Sequence, residues 1–145
     1  MIIILVLLAL LAFVYFSKSN DFDREIINCS VLAEAIGPYS HAVKVGNRVY
    51  VSGQIGINKN GLLDSSSIKA ETEQCLKNIK AIVESAGYNL KNISKCSVFI
   101  TNMNDFKKMN EVYSLYFPEN APARETIEVS ALPKGAHIEI SAIVN

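Results

Sequence analysis

The sequence predicts an α+β fold, a single sheet with two helices packed on one face. Short runs rich in Val, Ile and Tyr, bounded by Gly, Pro and Asn, mark the strands. Two longer stretches repeat apolar residues at spacings of three and four, the period of a half-buried helix. The resulting order is strand, strand, helix, strand, helix, strand, strand.

The first two strands lie in HAVKV (41–45) and RVYVSG (48–53), joined by Gly46-Asn47, a dipeptide suited to a two-residue hairpin turn. A Gly/Asn-rich loop follows, and then a helix over residues 68–86. Ser66 or Ser67 can cap its start, and Gly87 stands where a helix end favours left-handed backbone. Its buried face should carry Leu76, Ile79, Ile82 and Val83. Residues 93–100 read as a strand with Cys96, Val98 and Ile100 on one face. Asn104 or Asp105 opens a second helix to about residue 116, with Phe106, Met109, Val112, Tyr113 and Tyr116 as its buried stripe. Two strands close the chain, 125–129 and 137–144, separated by the turn-forming Pro133-Lys134-Gly135.

Composition limits the function classes. Half of the 145 residues are hydrophobic, enough for one domain with a core of its own. Fourteen Lys+Arg against fourteen Asp+Glu give a net charge of zero, so no nucleic-acid partner is expected. Cys29, Cys75 and Cys96 are widely spaced, without a CxxC or a nearby histidine, which disfavours zinc or a disulfide framework. Free, buried thiols are the expectation.

The N-terminus differs in kind. Residues 2–16 are unbroken apolar sequence, about the length of a secretory h-region and short for a span. The expected division is a signal peptide or signal-anchor at 1–19, a linker at 20–25 and one domain at 26–145. Membrane contact is expected through residues 2–16 alone, with entry into a secretory or organelle lumen, a cytoplasmic location being the alternative. In a lumen, Asn28 and Asn92 would be glycosylation sequons.

Two residues stand out for chemistry. Arg124 opens a strand directly after Ala121-Pro122-Ala123, and its planar fork of donors matches a carboxylate. Glu139 lies between Ile138 and Ile140, so alternation places it on the face opposite those apolar neighbours, where it could hold and polarise a water.

The series AIGPYS (35–40), VYVSGQIG (49–56), NDF…N..Y (104–106, Asn110, Tyr113), PAR (122–124) and ALPKGAHIEISAI (131–143) resembles, in this order and spacing, the reactive-intermediate deaminase (RidA/YjgF-like) family, also called translation-inhibitor endoribonuclease (L-PSP). The resemblance covers residues 29–144. It implies a chorismate-mutase-like fold, a homotrimer with active sites between subunits, and hydrolytic deamination of 2-iminopropanoate and 2-iminobutanoate to the 2-keto acid and ammonia. It further implies that Arg124 clamps the substrate carboxylate and Glu139 orients the attacking water. Tyr39, Ser52, Gly53 and Asn110 would line the pocket, and the backbone around Thr126 would bond substrate or water. No metal or organic cofactor is expected.

An arginine beside that pocket should favour a charged Glu139. His41 stands where the family usually has glutamine and is assigned no chemistry. Glu125-Thr126 stands where several members carry a small pair such as Ser-Cys; alternation turns Glu125 away from Arg124, whereas an inward bend would compete for the guanidinium. The alternative reading is a catalytically weak trimeric module of the same fold, binding small carboxylates or acting as a chaperone-like or ribonuclease protein.

Overall fold

A computed structural model describes residues 23–145. Its sheet has six strands in the order β1-β2-β3-β6-β4-β5. These are β1 (Arg24–Ile27), β2 (Ala42–Val45), β3 (Arg48–Ile55), β4 (Ile93–Ile100), β5 (Ala123–Glu128) and β6 (Ile138–Val144). The helices are α1 (Ile68–Ser85) and α2 (Phe106–Tyr116). All neighbouring strands run antiparallel except β4 and β5, which are parallel and joined through α2. The predicted α+β architecture is therefore present. Strand β1 was not foreseen; its sequence, REII, is exposed at three of four positions and offers no alternation.

Local chemistry explains the elements. Gly46 has φ +60° at the first position of the β2–β3 turn, the place where a two-residue hairpin favours glycine. Ser67, rather than Ser66, caps α1, its hydroxyl accepting from Ala70 N–H at 3.2 Å, while the Ser66 hydroxyl donates to Asp64. Gly87, φ +84°, ends that helix. Leu76, Ile79, Ile82 and Val83 are fully buried against Val49, Val98, Ile138, Ile140 and Val144 of the sheet. All three cysteines are free and buried.

One polar group is enclosed by this core. Glu71, in the first turn of α1, is fully buried. Its carboxylate accepts from the backbone N–H of His137 at 2.6 Å and of Ile138 at 3.3 Å, and lies 3.0 Å from His137 Nδ1. A Cβ on Gly56 would overlap its side chain. Glu71 thus fastens the last turn before β6 to the start of α1, satisfying donors that would otherwise be buried unpaired, with Gly56 packed closely against it.

The expected membrane contact and secretory entry are corrected here. Among the described residues no helix is long and apolar enough to cross a membrane, and the domain closes its core with its own helices and strands. Residues 2–16, on which both expectations rested, lie outside the described residues.

Candidate active site

Between Val51 and Gln54 the pairing of β3 with β6 shifts register, so Ser52 and Gly53 together oppose the stretch between Ala142 and Ile140. Such a bulge re-aims the strand. The buried Gln54 side chain supports it, donating to the Ser52 carbonyl at 3.1 Å and the Gly53 carbonyl at 3.3 Å. The Ser52 hydroxyl donates to Ser40 O at 2.6 Å and ties the bulge to the preceding loop. Glycine at position 53 leaves room for the Glu139 carboxylate, which a Cβ there would overlap.

Glu139 pairs with Ile55 on one side and Phe99 on the other, in a strand whose alternate residues Ile138 and Ile140 are fully buried. Its side chain faces a cleft of about 410 Å³ lined by Ile36, Tyr39, Ser52, Gly53, Ile55 and Pro133. Burial alone pushes the Glu139 carboxyl above its usual range. Four of the predicted site residues, Tyr39, Ser52, Gly53 and Glu139, therefore converge. The apolar wall of Ile36, Ile55 and Pro133 was not legible as part of the site, since nothing distinguishes these residues from ordinary core or turn positions.

His41 has no place in that chemistry. Its Nδ1 accepts from Cys29 N–H at 3.1 Å and its Nε2 faces Ala33 O at 3.0 Å, an arrangement that sets the ring proton on Nε2 and pins the loop carrying Ile36 and Tyr39.

Arg124 lies elsewhere. It pairs with Cys96, whose side chain belongs to the core beneath the helices, whereas Glu139 pairs with Phe99, of opposite parity on the same strand. The two residues project from opposite faces of one sheet. The Arg124 guanidinium carbon sits 4.5 Å from the ring centre of Tyr113 and 5.7 Å from that of Phe106, both on α2. Asn110, four residues after Phe106 and three before Tyr113, shares their helix face. Thr126 follows on the same side of β5, its hydroxyl buried and without a hydrogen-bond partner. Among the described residues no carboxylate forms an ion pair with Arg124.

This geometry bears on two expectations. Arg124 does not stand beside Glu139 within one chain, where burial alone acts on the carboxyl and raises its pKa, so an arginine that favours a charged Glu139 has to come from another copy. Glu125 turns away from Arg124: Ser97 donates to its carboxylate and Lys95 lies 3.1 Å from it, and these partners, Ser97 first, hold its carboxyl below the usual range.

The family described as endoribonuclease L-PSP matches residues 30–145. The chain belongs to this family. It is 50% identical over 121 residues to a RutC family protein of Pyrococcus horikoshii, covering 83% of this chain and 96% of that one. It is 44% identical over 125 residues to the human 2-iminobutanoate/2-iminopropanoate deaminase, covering 86% and 91%. Among solved structures, TdcF of E. coli with bound serine superposes with a TM-score of 0.79 at 38% identity, over 83% of this chain and 97% of that one.

Proposed function

We propose that this protein hydrolyses small 2-imino acids such as 2-iminopropanoate and 2-iminobutanoate, releasing the 2-keto acid and ammonia. One observation carries the reading: a guanidinium lying over two aromatic rings with no carboxylate partner among the described residues, and a half-buried carboxylate facing a cleft at the strand bulge. Several relatives bear the name of this activity.

The chemistry asks little of the protein. Water adds to the carbon of the protonated C=N bond, its proton passes to nitrogen, and the C–N bond breaks as ammonia leaves while the new hydroxyl closes to the keto C=O and releases its proton. Arg124 holds the substrate carboxylate through two parallel hydrogen bonds. Glu139 accepts a hydrogen bond from the water and takes its proton as it attacks. Tyr39, Ser52, Gly53, Asn110 and Thr126 frame the substrate. The apolar wall of Ile36, Ile55 and Pro133 suits a short alkyl side chain.

Because Arg124 and Glu139 leave opposite faces of the sheet, a complete site takes each from a different copy of the chain. We place these copies in a homotrimer, with the sheet face bearing exposed Tyr50 and Ile127 turned inward. The catalytically weak carboxylate-binding reading keeps the Arg124 recess and drops turnover. The test couples an amino-acid dehydratase to the purified protein and traps residual imine with semicarbazide. Accelerated imine loss supports the deaminase, and none, with carboxylate binding intact, supports the binding module. Mixing inactive Arg124→Ala and Glu139→Gln chains should restore part of the activity. No restoration on subunit exchange, or a monomer in sedimentation equilibrium of the chain from Asp21, overturns the shared site.

A further inference from the structure

We propose that Tyr113 is a positioning residue for Arg124, its buried ring acting with Phe106 as a shelf that holds the guanidinium flat, donor edge outward toward a carboxylate ligand. The inference rests on the Arg124 clamp of the proposed function. An arginine side chain has several rotatable bonds, and an acidic neighbour commonly fixes it. Here no acid does so among the described residues. What lies against the guanidinium is aromatic: Tyr113 at 4.5 Å and Phe106 at 5.7 Å. A ring face attracts the flat of a guanidinium and leaves its N–H groups, which lie in the guanidinium plane, free to donate. An ion pair would have fixed the side chain equally well but consumed the donors that a substrate carboxylate needs.

The shelf is itself rigid. Tyr113 is 5% exposed and packs on Phe117, ring centres 4.7 Å apart, within the core shared by α1 and the sheet. Phe106 is 38% exposed and forms the outer lip. The Tyr113 hydroxyl is buried close to the Cys96 thiol of β4. What meets the guanidinium is the face of the ring, so the hydroxyl is no part of the holding device.

The roles of ring and hydroxyl separate by substitution. Binding of 2-oxobutanoate, the keto acid released from 2-iminobutanoate, is titrated calorimetrically to the full chain and to Tyr113→Phe, Tyr113→Leu and Phe106→Leu. Phenylalanine at 113 should leave the dissociation constant within about twofold of the parent, since it keeps the ring face. Leucine at 113 should weaken binding about tenfold, which corresponds to 1.4 kcal/mol. In the imine assay the same loss should fall on KM more than on kcat. Phe106→Leu, at the exposed lip where the core is untouched, should weaken binding less but measurably, and it decides the matter if leucine at 113 fails to fold. Equal losses for phenylalanine and leucine at 113 overturn the ring-face role, as does unchanged affinity in a folded leucine variant or, if that variant does not fold, in Phe106→Leu. A parent chain that binds 2-oxobutanoate without hydrolysing imines ends the deaminase reading and leaves this proposal to be judged by the titration. A parent that binds none removes the clamp and this role with it.

Discussion

The Glu139 recess and the Arg124 recess are built by opposite means. Glu139 stands in a strand with neighbours on both sides, and backbone fixes its position: the bulge at Ser52–Gly53, the missing Cβ of Gly53, and Glu71 fastening the chain just before β6. Arg124 stands on an edge strand with one neighbour, and side-chain packing fixes it, through two rings of α2. On the proposed reading, an acid that holds one water gains from backbone rigidity, and a cation that keeps its donors free for a ligand gains from a surface that neutralises nothing.

The largest effect should follow from removing the arginine. On the proposed reading Arg124→Ala deletes both charge-assisted hydrogen bonds to substrate, and kcat/KM should fall on the order of 10²–10³-fold. The fold loses little, since Arg124 is half-buried and has no ion pair among the described residues, so Tm should barely move. A large Tm loss would mean that the stack on Tyr113 serves stability rather than the ligand.

Next comes the backbone side of the comparison. Gly53→Ala places a methyl group where the Glu139 carboxylate lies. The carboxylate must move, and a displacement of about 1 Å at a reacting group can cost about 10²-fold in turnover. Affinity for 2-oxobutanoate through Arg124 should change far less. Equal losses in both measurements would deny that the two recesses are independently built.

Glu139→Gln sharpens the electrostatic half. The shape is kept and the charge lost, so kcat should drop more than affinity. Stability should move the other way. The folded carboxyl is raised above its unfolded value by burial, so the ionised form is penalised above the folded pKa and the penalty disappears as pH falls through that range. Glutamine escapes it. The variant should melt higher than the parent at neutral pH, by on the order of a degree or two because the group is half-exposed, and the curves should converge as pH drops. A variant less stable at pH 7 would mean that the carboxylate makes stabilising contacts in the assembly.

How much of this was legible in the sequence depends on whether a residue's role is local. The caps, the Gly46 turn and the α1 stripe follow from neighbours within a few positions, and they stand where pattern placed them. Glu139 was placed on the face opposite the core by period-two alternation, and Arg124 was singled out by Pro122 and the strand start. Their separation onto opposite faces was not foreseen, because it depends on the parity of β4 relative to both β5 and β6, a relation between strands. Glu71 was missed for a similar reason: an acid in the first helical turn reads as an exposed cap partner until the turn before β6 folds over it.

The smallest effect concerns Glu125, the residue whose side could not be settled from alternation alone. An inward bend toward Arg124 would have it competing with the substrate, and Glu125→Ala would then tighten ligand binding. The structure turns it to the Glu139 side of the sheet, where Ser97 donates to it and Lys95 accompanies it. Alanine should therefore leave both KM and kcat unchanged within scatter, while Arg124→Ala in the same assay abolishes clamping. Its stability contribution has a definite sign. The folded carboxyl lies below its ordinary value, so the benefit is present above the unfolded carboxylate pKa and is lost as pH falls through the lowered folded one. Parent and variant should differ slightly at neutral pH, less at high salt because the pair is exposed, and coincide in acid. A clear gain in 2-oxobutanoate affinity on removing Glu125 would place its carboxylate back within reach of Arg124, and would show that the arginine recess is less free of competing charge than its aromatic shelf implies.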